Sequence, residues 1–149
     1  MRARHRPKEP ALGRPAEQVA LIHLDTSVLI DALTGPRRSS RSLRQAIEAG
    51  ERIELSTLVL YEWIRGRRRS EELLAQEALF PAERAVPFGS REAALAASWY
   101  GRLKKPRGRE IDLAIAACAL AREALLWTLN VKDFADIPDL SIYEPEVDS

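Results

Sequence analysis

Cysteine and histidine are almost missing from this chain, whose 149 residues hold one Cys and two His. A single thiol excludes an internal disulfide, and no Cys/His cluster stands at zinc-like spacing, so the usual zinc sites are excluded too. Cys118 lies in the run Ala114-Ile115-Ala116-Ala117-Cys118-Ala119-Leu120 and reads as a small buried apolar residue. No stretch approaches the roughly 18 to 20 apolar residues of a membrane-spanning helix. The basic N-terminus runs into Pro7, Pro10 and Pro15 instead of an apolar signal core. The expectation is a soluble, cytoplasmic protein with no membrane partner. Net charge is nearly absent as well, at +1, so no global attraction to nucleic acid follows.

What is present is enough apolar content, 46%, for one core of ordinary domain size. The cations are clustered: Arg2 to Lys8, Arg37 to Arg44, Arg65 to Arg69, and Arg102 to Arg109. Any one such cluster reads as a solvated face; beside a phosphate-cleaving centre it reads as a grip on a nucleic-acid backbone. Residues 1–18 have three prolines, several arginines and little apolar content, so they are expected to form a flexible extension, with an internal translation start as the alternative. The folded domain is expected over 19–149.

From Val19 onward, short apolar runs alternate with longer helical ones, the pattern of βαβ units around a parallel sheet. Strands are expected at Val19–Leu24, Arg52–Leu55, Ala85–Phe88, Leu125–Thr128 and Leu140–Tyr143, with Pro87 marking the third as an edge. Helices are expected at Thr26–Leu33, Ser39–Ala49, from Ser56 or Thr57 to Gly66, at Ser70–Leu79, from Ser90 to about Lys104, and at Glu110–Ala124.

Four acids are set inside or against apolar segments, where an unpartnered charge is costly. Asp25 follows the first strand, at the carboxyl edge where open α/β sheets bind ligands, and reads equally as a helix cap. Thr26 and Ser27 can cap, or can hydrogen-bond an adjacent carboxylate. Glu62 sits in Leu58-Val59-Leu60-Tyr61-Glu62-Trp63-Ile64, with an ion pair to Arg65 as the local alternative. Asp112 stands at a helix start, where the macrodipole alone would account for it, but helical spacing turns it inward with Ile115, Ala116 and Ala119. Asp133 and Asn130 follow the fourth strand, whose place beside the first would set Asp25 and Asp133 on either side of one crevice. An all-oxygen set favours Mg²⁺ or Mn²⁺. His23 reads as structural.

Leu24-Asp25-Thr26-Ser27-Val28-Leu29-Ile30-Asp31, Ser56-Thr57 through Glu62 to Gly66, Asp112-Leu113-Ala114-Ile115-Ala116-Ala117, and Thr128-Leu129-Asn130-Val131-Lys132-Asp133-Phe134 resemble the four motifs of PIN-domain nucleases. Within that family they resemble the VapC-type toxins of bacterial toxin–antitoxin pairs, over about residues 20 to 145. The resemblance implies a three-layer α/β/α domain with a parallel sheet of about five strands in the order 3-2-1-4-5. It implies a Mg²⁺- or Mn²⁺-dependent ribonuclease with Asp25, Glu62, Asp112 and Asp133 as the acidic cluster. Thr26, Thr128 and Asn130 would be its supporting polar groups. An RNA substrate, a homodimer and a VapB-like antitoxin covering the site are implied with it. A housekeeping RNA-processing nuclease and a catalytically silent binding module are the alternative functions.

Overall fold

The computed structural model describes residues 19–146. The extension expected over 1–18, like 147–149, lies outside the described residues. Three short strands, β1 (Leu21–Leu24), β2 (Arg52–Glu54) and β3 (Leu125–Trp127), form a parallel sheet in the order β2-β1-β3. In β1 the consecutive residues Ile22, His23 and Leu24 are all fully buried. Neighbouring side chains of a strand point to opposite faces, so both faces of the sheet are covered.

Six helices supply that cover: α1 (Thr26–Leu33), α2 (Ser40–Glu48), α3 (Thr57–Arg65), α4 (Ser70–Leu79), α5 (Ser90–Arg102) and α6 (Glu110–Ala121). α1 and α4 have the bounds expected of them. α3 begins where Ser56 accepts the Val59 amide at 3.2 Å, an ordinary N-cap. α6 is buried continuously from Leu113 to Ala119, and its small side chains admit close neighbours on every side. It stops three residues short of the expected Ala124, because Glu123 takes a left-handed conformation (φ 55°) that turns the chain into β3.

The expected sheet of five strands is corrected to three. Each outer segment pairs at one point only, Val86 with Ser56 and Ile142 with Leu126, both parallel and in the expected flanking positions. The rung before Val86 is lost because the Arg84 amide is spent on Pro81 O, in the 3-10 turn Ala82–Arg84. The rung after it is lost because Thr57 already belongs to α3, and the Phe88 amide turns to its Oγ1 at 3.4 Å. Beyond Tyr143, Pro145 has no N–H to donate. A second 3-10 turn, Val131–Phe134, carries Asp133 and has no counterpart among the expected elements.

Candidate active site

β1 delivers Asp25 to the carboxyl edge of the sheet, where its amide still bonds Trp127 O of β3 at 2.9 Å. Asp25 occupies the N-cap position of α1, yet its side chain makes no capping hydrogen bond. The carboxylate is turned into the protein instead, 4% exposed. Its Oδ2 accepts the Ser27 hydroxyl at 2.8 Å and the Thr128 hydroxyl at 2.7 Å. Those hydroxyls are themselves held: the Leu129 amide donates to Ser27 Oγ and the Asn130 amide to Thr128 Oγ1, each at 3.0 Å. Asn130 therefore supports the site through its backbone.

Glu62 comes from the middle of α3. Its Oε1 accepts the Thr26 hydroxyl at 2.6 Å, which ties α3 to the start of α1. The local alternative is also present, since Arg65 lies 3.6 Å from Oε2, but that arginine is mostly exposed. An exposed pair of this length contributes little.

Asp112 decides what kind of place this is. Burial pushes its carboxyl up from an ordinary 3.8 to about 6, and the charges of Asp25, Asp133 and Glu62 add to the rise, with Arg109 opposing. An acid placed to profit from a helix N-terminus would have its pKa lowered. The shift has the opposite sign, so burial and the neighbouring acids outweigh what the helix N-terminus contributes at Asp112. The same shift shows that all four acids lie in one electrostatic field. They are not closed round a point: among the described residues, no three Asp, Glu, His or Cys side chains form a group that could hold a metal ion. Asp133 is the most open of the four, exposed in its 3-10 turn.

Arg109 went unnoticed as a site residue because it reads as part of a basic run. It forks onto Asp136 at 2.6 and 3.0 Å and donates to Asp133 O at 2.8 Å, pinning the turn that carries Asp133 to the start of α6. The hydrogen bond to Asp136 holds the guanidinium pKa above its usual value. The only early sign of it was its position just before α6. A cleft of about 230 Å³ opens between Arg52, Phe80 and Arg84, and another of about 340 Å³ between Leu33, Leu43 and Ile47, both away from the acids. Charge and titration mark the site. The donor set is all carboxylate, and the mutual repulsion registered at Asp112 is what a hard dication would relieve, so in donor chemistry, though not in the spacing the side chains have here, the residues fit Mg²⁺ or Mn²⁺.

The model of the PIN domain matches residues 22–140, a span that includes all four acids. The chain belongs to the PIN-domain family. Among PIN-domain relatives, Ribonuclease VapC19 of Mycobacterium tuberculosis is 35% identical over 124 residues, covering 78% of this chain and 94% of its own. Of solved structures, a toxin–antitoxin complex from Klebsiella pneumoniae is 30% identical with a TM-score of 0.58, over 84% of this chain and 98% of that one. The DNA-bound VapBC from Salmonella typhimurium has a TM-score of 0.71 at 21% identity, over the same shares of the two chains. The resemblance read from the four motifs is thus to the right family, and this PIN domain stands among VapC-type relatives.

Proposed function

We propose that this chain is the toxin of a type II toxin–antitoxin pair, a metal-dependent endoribonuclease that hydrolyses RNA phosphodiester bonds. The observation that carries this reading is the Asp112 carboxyl, raised to about 6 by burial and by three other acids. Carboxylates crowded at the carboxyl edge of a parallel sheet, offset only by an exposed Arg65 and by an Arg109 whose guanidinium is bonded to Asp136, are costly unless they serve chemistry. The VapC19 relative and the toxin–antitoxin neighbours favour RNA as substrate and a VapB-like antitoxin as partner. Assembly as a homodimer belongs to the same reading.

Asp25, Asp112 and Glu62 would hold the divalent cation, with Asp133 at its margin. When bound, such an ion lowers the pKa of a coordinated water and neutralises charge on the phosphoryl oxygens. The chain's own part is placement. Ser27 and Thr128 orient Asp25 from one side, Thr26 orients Glu62, and Arg109 holds the Asp133 turn in register with Asp112. The reaction is in-line attack of water on phosphorus with cleavage of the bond to the 3′ oxygen, which leaves carrying a proton. The products are a 5′-phosphate and a 3′-hydroxyl.

The test is purified protein incubated with RNA and Mg²⁺ or Mn²⁺, beside Asp25→Asn, with the new ends sequenced. Cleavage by the parent that vanishes in the variant is expected; equal cleavage by both sinks the assignment. Calorimetric uptake of Mn²⁺ separates an enzyme from a silent binding module, which takes up no metal through Asp25 and Asp112.

A further inference from the structure

Several of the clustered arginines already have partners within the fold. Arg38 pairs with Asp31, and Arg69 with Glu71 and Glu72. Arg68 lies over the Trp63 ring at 4.2 Å and donates to Trp63 O at 2.8 Å. It passes so close to Gly66 that a Cβ there would meet its guanidinium at 2.7 Å. These contacts tie part of the clustered charge to acids and helix ends within the fold.

The loop between α5 and α6 is different. Lys104, Lys105 and Arg107 are exposed and form no ion pair among the described residues. With Pro106 and Tyr100 they line an open cleft of about 420 Å³. Tyr100, in the last turn of α5, is 39% exposed and presents an aromatic surface beside three free cations. The loop is tied to the acids through Arg109, whose amide bonds Pro106 O at 3.0 Å and whose guanidinium reaches Asp133 O at 2.8 Å. Gly108 makes the turn possible with φ 86°, a conformation that a side chain would strain. Arg37, Arg44 and Arg67, spread over separate segments, also form no ion pair among the described residues, nor do Arg52 and Arg84, which share a cleft. Their cleft lies at the starts of β1 and β2, the end of the sheet opposite Asp25.

We propose that the Tyr100–Arg107 cleft seats the single-stranded RNA flanking the scissile phosphate, with Lys104, Lys105 and Arg107 on consecutive phosphates and one base stacked on Tyr100. The inference rests on the ribonuclease reading of the acids and supplies what that site lacks, since four carboxylates repel the strand they would cut. Free cations beside an exposed ring are the combination that holds single strands without reading sequence. An acidic protein segment would use the cations but has no need of the ring.

The experiment compares the parent with K104E/K105E/R107E, Tyr100→Ala and Tyr100→Phe. Binding of a labelled single-stranded RNA is followed by anisotropy in EDTA across a salt series, and cleavage kinetics are measured with Mn²⁺. The charge reversal is expected to weaken binding at least about tenfold and to flatten the slope of log affinity against log salt by about 2, the value for three phosphates. Tyr100→Ala is expected to lose about tenfold, with Tyr100→Phe close to the parent. Cleavage should lose mainly through KM, and calorimetric Mn²⁺ uptake should stay as in the parent. Unchanged RNA affinity and slope in the charge reversal overturn the inference, as does a parent that binds no RNA, or a loss seen only with an acidic peptide. A parent that binds RNA through the cleft yet cleaves none with Mn²⁺ overturns the enzyme reading and leaves the cleft standing.

Discussion

Two half-buried carboxylates in this molecule are driven in opposite directions. Burial raises the Asp112 carboxyl to about 6, and the nearby acids push the same way. Burial raises Glu54 as well, but hydrogen bonds from His23 and Arg122, together with their charges, bring it down to about 2. Glu54 accepts from Arg122 at 2.7 and 3.0 Å and lies 2.9 Å from His23 Nδ1, inside the β1–β2 pairing. The burial is alike; the company is not. A carboxylate supplied with cations is part of the architecture, whereas one surrounded by its own kind is retained against its electrostatic cost and marks a place of function.

The sharpest way to break the comparison is at Asp25. Asp25→Asn is expected to cut RNA cleavage by more than about a hundredfold while leaving the melting temperature equal or higher, because it removes a like charge from beside Asp112. A loss of fold that accompanies the loss of activity would place Asp25 with Glu54 among the structural acids. Next, Arg122→Met should cost about 1 to 2 kcal/mol in urea unfolding, since it strips a half-buried carboxylate of a guanidinium that is itself partly open to solvent. Activity per folded molecule is expected to be unaffected.

Titration separates the two acids by sign. Glu54 binds its proton less readily folded than unfolded, so it adds stability above its ordinary 4.5 that is lost as pH falls toward about 2. Asp112 binds its proton more readily folded, so stability declines as pH rises from 3.8 to about 6 and the cost is complete above that. Unfolding free energies across pH should therefore lose their acid-side rise in Glu54→Gln and their decline between about pH 4 and 6 in Asp112→Asn. The smallest effect expected is a rise in melting temperature on adding Mn²⁺, present in the parent and absent in Asp25→Asn, with about 1.4 kcal/mol as its size at a tenfold excess over Kd.

Legibility followed the range of the forces involved. α1 was readable to the residue because its signals are local: Asp25 before it, Gly35 with φ 57° after it. The outer strands were readable as positions but not as ladders, because the Arg84 and Phe88 amides find closer partners that only the folded chain reveals. Each of the four acids was identifiable by its apolar surroundings. Whether Asp25 capped α1 was not, since the answer depends on Thr128, 103 residues away. His23 read as structural without its reason, and Arg122, 68 residues from Glu54, completes the pair that explains it. The basic clusters were the hardest, because sequence counts charges and cannot tell which are already spent.

The hydroxyls of Ser27 and Thr128 both arrive at the same oxygen of Asp25, Oδ2, and no hydrogen bond among the described residues reaches Oδ1. An unrestrained aspartate would have to give up torsional freedom when something binds it, at a cost of up to about 1 kcal/mol. Here that freedom is surrendered during folding, far in advance. Oδ1 is left facing one direction before any ligand arrives, a setting fixed by two hydroxyls on the other oxygen.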